Sequence, residues 1–204
     1  MLEAALTGVA VVLALSQPVP QVRRLLRTRS IAGVSGPTTW LGLTINAAWA
    51  AYGLARGLLP VAVISVAYVA GYAVIAALLW RRGNRRGVGV ATGAALACAA
   101  LAVTAGWTVV GTALALTVGA QFVPQVAMAW RSDDLTALAG GTYLVCAVDG
   151  VVWGGFGVLS ADGPLVLYGA VMLSVAVLVL VPKRRWARNA TLAAAAPGTT
   201  HPAA

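Results

Sequence analysis

The chain is built from long stretches almost free of Asp, Glu, Lys and Arg, separated by short charged breaks. Residues 4–22, 30–55 and 57–80 are the first three, and residues 87–130 form a run of 44. Residues 135–161, interrupted only by Asp149, and residues 163–182 complete the set. A helix needs about 20 apolar residues to cross about 30 Å of hydrocarbon. The 44-residue run therefore divides in two, and the break falls at Thr104 to Trp107, where Gly106 meets an interfacial tryptophan. The pattern predicts seven transmembrane helices. None of the runs alternates strictly, and Ala, Leu and Gly dominate them, which argues against strands. The first run has no basic leader and no A-x-A-like cleavage site, so it is read as a span and not as a signal peptide.

Composition agrees with a lipid environment. Apolar residues make up 60% and charged residues 9%, with a mean hydropathy of +0.88. Soluble domains hold about 45–50% and about 25%. A soluble enzyme, a disordered chain and a disulfide scaffold are excluded on this ground. Cys98 and Cys146 both lie in apolar runs and read as small buried residues. The net charge of +9 would point to nucleic acid in a soluble protein, but here the basic residues cluster between runs. Thirteen of the 14 follow the first, third, fifth and seventh spans, and Arg56 alone falls on the opposite side. The positive-inside rule then sets the N-terminus outside and the C-terminus in the cytoplasm. The clusters suit anionic headgroups, so lipid is an expected partner and nucleic acid is not. The Ala/Gly/Arg/Val bias suggests a GC-rich bacterium, hence a multi-pass protein of the cell (plasma) membrane. The tail, residues 186–204, is expected to be disordered.

The sequence also repeats itself. Shifted by 104 residues, Gln17 to Val22 falls on Gln121 to Val126, and over residues 17–60 eleven of 44 positions are identical. The matches include Pro20 with Pro124, Gln21 with Gln125, Arg27 with Arg131, Trp49 with Trp153 and Pro60 with Pro164. Low complexity does not explain identities among such scarce residues. Each copy spans three helices. The fourth span restores the direction of the chain, so the two copies are parallel and related by an axis along the membrane normal. The expected organisation is a first repeat at 1–82, a linker and helix at 83–107, a second repeat at 108–185 and the tail.

Few residues in such a chain can carry chemistry. A proline inside a helix removes one backbone hydrogen bond, and an adjacent glutamine can satisfy the freed group. Pro20, Gln21, Pro124 and Gln125 are therefore candidate hinges; the alternative is a proline that simply ends its helix. Asp149 is the only ionisable residue deep in a span, where an ionised carboxylate costs several kcal/mol unless paired or hydrated. It reads as a solute ligand or a proton-binding group, or else as a structural cap. Asn46, on the corresponding helix of the first repeat but one residue out of register, is its expected partner in a carboxyl–amide pair.

Pro-Gln followed by basic residues, with residues 27–35 after it, resembles the PQ-loop motif. Asn46, Trp49, Tyr52 and Gly53 resemble the second helix of SWEET (MtN3/saliva) sugar transporters, and Val152, Trp153, Phe156 and Gly157 form its second copy. The resemblance covers about residues 5–182. It implies an all-α membrane protein, two parallel three-helix PQ-loop repeats joined by a linker helix (3+1+3), and a central pocket reached alternately from each side. By motif position it implies that Trp49 and Trp153 flank the solute. The asparagine that SWEETs carry on the third helix of each repeat falls at or near Val66 and Ala170 here, and polar candidates nearby are Ser65, Tyr68, Tyr72, Tyr168 and Ser174.

The function implied is transport of a small polar solute, a sugar first of all, by alternating access. Substrate-binding candidates are Trp49, Trp153, Asn46, Asp149, Ser65, Tyr68 and Tyr168. The alternatives are a proton-coupled amino-acid transporter of the PQ-loop type and a non-transporting receptor on the same scaffold. Zinc spacing, a P-loop and a Cys/His dyad are all missing, so neither cofactor, metal site nor enzyme is expected. Homo-oligomers remain open.

Overall fold

The computed structural model describes residues 34–136 and 138–195, together with Gly8 and Arg27. Six helices run through the described residues: α1 (Gly36–Ala55), α2 (Leu59–Arg81), α3 (Val88–Ala105), α4 (Trp107–Arg131), α5 (Gly140–Leu159) and α6 (Gly163–Ala195). They correspond to the second to seventh apolar runs. The first run, with Pro20 and Gln21, lies outside the described residues.

Five of these helices, α2 to α6, are long and apolar enough to cross a membrane. Helix α1 is less apolar because it opens on Gly-Pro-Thr-Thr and carries Thr44 and Asn46. Its start is set by Ser35, whose hydroxyl accepts from the Thr38 N–H at 3.4 Å, and by Pro37 in the first turn. Large aliphatics such as Val63, Leu96, Val103 and Val177 face outward on the other helices. Side chains so placed are stable in hydrocarbon and costly in water. The chain is a multi-pass membrane protein.

The expected break between the fourth and fifth spans is found at Gly106, whose φ of 84° and ψ of 169° suit glycine alone. Helix α3 keeps only Ala91 buried, touching α1 and α4, and so forms an outer connecting element. In the second half, α6 lies between α4 and α5, and the three share a core of Ala129, Tyr143, Cys146, Met172, Val175 and Val179. In the first half α1 packs along α2.

The repeat is visible atom by atom in the turns that join α1 to α2 and α5 to α6. Leu58 N–H donates to Gly53 O at 2.7 Å, and Asp162 N–H donates to Gly157 O at 2.8 Å. A Cβ at Gly53 would come within 2.6 Å of the Ala62 nitrogen, and one at Gly157 within 2.6 Å of the Val166 nitrogen. Each pair is separated by the 104-residue shift, so both hairpins close on the same backbone-to-backbone contact. Gly57 has φ 70° in the first turn, and its counterpart Ala161 has φ 51° in the second.

One expectation is corrected at the C-terminal end. Helix α6 passes through Pro182 and reaches Ala195, so residues 186–195 are helical and not part of a disordered tail. The cause is docking: Trp186 Nε1 donates to Asp133 O at 3.0 Å, and Lys183 Nζ donates to Leu135 O. Residues 196–204 lie outside the described residues.

Ala161 pays a left-handed cost of about 1–2 kcal/mol that its counterpart Gly57 avoids. Ala161→Gly is expected to raise the unfolding temperature of the purified protein, and Gly57→Ala to lower it.

Candidate functional site

A cavity of about 590 Å³ lies between α1 and α2 on one side and α4, α5 and α6 on the other. That is within the usual size of small-molecule sites, about 300–1,000 Å³. Trp49 and Asn46 from α1, Ser65 and Tyr68 from α2, Asp149 and Trp153 from α5, and Tyr168 from α6 all line it. Every substrate-binding candidate named from the sequence thus borders one space.

The aromatic groups are held in fixed attitudes. Trp49 meets Tyr168 edge to face at 5.8 Å, linking the first repeat to α6 across the cavity. Trp49 also meets Tyr52 at 5.4 Å and 87°, and its counterpart Trp153 meets Phe156 at 6.0 Å and 88°. The repeat therefore preserves the ring pair as well as the turn.

Asp149 accepts a hydrogen bond from the Tyr168 hydroxyl at 2.7 Å. The expected carboxyl–amide pair does not form: Asn46 Nδ2 donates instead to Gly42 O at 2.8 Å, one turn back on its own helix. The physical reason is the one-residue offset, which turns Asn46 about 100° around its helix from the position equivalent to Asp149. That equivalent position is Ile45, and the equivalent of Tyr168 is Ile64. An aliphatic pair in the first repeat has become a polar pair in the second.

Pro124 lies within a helix that continues to Arg131, and neither it nor Gln125 borders the cavity. Pro20 and Gln21 fall outside the described residues. Ser174 is exposed on α6, donating to Ala170 O, and is not a lining residue. Gln121, Phe122, Thr142, Cys146 and Met172 join the lining.

The sequence reading missed a polar cluster beside one end. Asp162, 1% exposed, accepts from the Tyr52 hydroxyl at 2.7 Å and from the Leu165 N–H at 3.1 Å. Arg56 Nε lies 3.5 Å from its second oxygen. Gly111 on α4 makes room, because a Cβ there would come within 2.5 Å of the Tyr52 ring. Trp49, Leu58, Val61, Val110, Phe156 and Leu165 pack around this point. An available signal was Asp-Gly-Pro at 162–164, a helix-capping carboxylate placed where the first repeat has Leu58. Toward the other end the lining residues Gln121 and Thr142 are exposed.

No family model matches the sequence, and no curated protein matches it either. Among solved structures, that of a eukaryotic SWEET transporter is similar, with a TM-score of 0.73 and 17% identity over 92% of this chain and 98% of that one. The two share a fold.

Removing the Tyr52 hydroxyl leaves a buried carboxylate short of a donor, a loss of about 1–3 kcal/mol. The half-exposed and more distant Arg56 contributes less than about 1 kcal/mol. Tyr52→Phe should therefore lower the unfolding temperature more than Arg56→Gln; the reverse order would show that the ion pair, and not the hydroxyl, holds this end.

Proposed function

We propose that the protein is a carrier moving a small polar solute across the cell membrane by alternating access. The supporting observation is a cavity between the two halves, with the Tyr52, Asp162 and Arg56 contacts joining the halves beside its Trp49 and Leu165 walls; in this reading they form the closed gate. A carrier needs two mutually exclusive openings to one site, and a seal made of a few polar contacts between the halves can be broken and remade. The shared fold with a SWEET transporter supports the same reading.

In this reading the first apolar run supplies the first of seven helices. The repeats span 1–82 and 108–185, joined by the 83–107 linker, in the 3+1+3 order. The charge pattern places the Gln121 and Thr142 end of the cavity toward the cytoplasm and the gate outside. Trp49 and Trp153 flank the solute. Asn46, Ser65, Tyr68, Asp149 and Tyr168 meet its polar groups. Pro20, Gln21, Pro124 and Gln125 let the bundles rock. The family resemblance favours a sugar. A second reading, coupling to protons, rests on Asp149: it faces the cavity bonded to a neutral hydroxyl, and can exchange a proton there.

Reconstitution into proteoliposomes tests both. Uptake of a labelled solute panel should require the protein and saturate with concentration, and Trp153→Ala should lower it about tenfold, the equivalent of about 1.4 kcal/mol of lost ring contact. If a pH gradient drives accumulation and Asp149→Asn abolishes that drive while sparing exchange, the proton-coupled form holds. Binding without flux for every solute would instead identify a receptor.

A further inference from the structure

The buried Asp162 and the half-buried Asp149 are treated differently. Asp162 has a guanidinium beside it. Asp149 has two neutral donors, the Tyr168 hydroxyl and the Trp153 side chain, and among the described residues that line its cavity there is no Lys, Arg or His. Asp149 is also the only charged side chain among them. When Asp149 is ionised, the described lining holds no counterion for it.

The walls around that charge are aromatic. Trp49 and Tyr168 form one corner, Trp153 follows Asp149 by one helical turn, and Tyr68 packs in the same small cluster as Trp153. The face of such a ring attracts a cation electrostatically, and more strongly once water is excluded. A carboxylate and four aromatic side chains lining one space are the two kinds of group that a site for an alkylammonium requires.

A neutral polyol fits these walls less well. It would use the hydroxyls and amides of the lining, of which Asn46 already gives one N–H to its own helix, but it has no charge to set against Asp149. It would also leave the desolvation cost of Asp149 uncompensated, whereas a cation offsets it. A zwitterionic amino acid brings a carboxylate of its own, for which the described lining offers no basic partner.

From this we infer that the cavity binds a small organic cation, an ammonium or alkylammonium compound without a carboxylate, ion-paired to Asp149 and enclosed by Trp49, Trp153, Tyr68 and Tyr168. The inference rests on the carrier reading for its setting and names a cationic solute for that carrier in place of the sugar that the resemblance favours. Binding by itself is enough to test it.

Titration calorimetry on the full chain in nanodiscs, at mildly alkaline pH and with empty discs subtracted, uses four probes. They are choline, its uncharged isostere with a tert-butyl group in place of trimethylammonium, glycine betaine, and glucose. Choline should bind at least about tenfold more tightly than the isostere and than betaine. Asp149→Asn should erase that preference and Asp149→Glu should retain most of it. Equal affinity for choline and its isostere in the unaltered chain overturns the inference, and does so even where a variant fails to fold. Binding of glucose without choline overturns it and leaves the carrier reading standing. Choline binding with no flux in proteoliposomes has the opposite meaning: the site is as inferred, and the carrier reading fails.

Discussion

The structure depends on where Asp162 finds its partners. A carboxylate this deeply buried costs several kcal/mol unless its oxygens are saturated. Its donors come from different parts of the chain: Tyr52 and Arg56 at the end of α1, and the Leu165 amide in the first turn of α6. Satisfying Asp162 therefore pins the end of the first repeat against the start of the last helix. The small residue at Gly111 and the apolar cluster from Trp49 to Leu165 follow from that requirement, since the ring of Tyr52 must be admitted and water kept out. The junction of the halves beside the cavity is a by-product of keeping one charge solvated by protein.

Duplication explains why the two halves can meet so closely, and divergence explains what they do. Both hairpins close on the same glycine contact and the same pair of turn hydrogen bonds. The backbone has little freedom to change there, because any Cβ at Gly53 or Gly157 collides with main chain and not with a flexible side chain. Side chains could still change. Both carboxylates stand where the first repeat has an aliphatic residue, Leu58 for Asp162 and Ile45 for Asp149. The second repeat thus carries the charge, and the first supplies Tyr52, Arg56 and Trp49 to meet it.

Much of this was legible in the sequence, for reasons that differ by residue. The charge-free runs fix the helices because lipid tolerates few ionised groups. Gly106 marks a break because its backbone angles need glycine. Asp149 stands out because it interrupts an apolar run. Asp162 does not, because it lies between two runs and reads as a loop residue; its burial is created by Tyr52, 110 residues away. The last apolar run ends at Pro182, yet the helix continues past it, where Lys183 and Trp186 contact the α4–α5 loop. Tertiary contacts of this kind leave no periodic trace. Asn46 failed as a partner for Asp149 for a simpler reason, a register offset that turns it aside.

The contrast between the two acids bears on how such a chamber can work. Asp162 receives its donors from within the protein, including a cationic one, so nothing further is needed to stabilise it. Asp149 receives only neutral donors, the Tyr168 hydroxyl from α6 and the Trp153 side chain one turn along α5, and borders open space. Had a lysine or arginine reached it, the pair would have been self-satisfied, and a solute would have had to break it before binding. Tyr168 avoids that outcome. Its hydroxyl fixes the direction of the carboxylate without neutralising its charge, and its ring packs against Trp49 to continue the wall. The residue that orients the acid is thus also the one that ties it to the first repeat. Any movement of α1 away from α6 would alter the acid's surroundings, and in the proposed carrier that side chain would link occupancy of the chamber to the state of the seal.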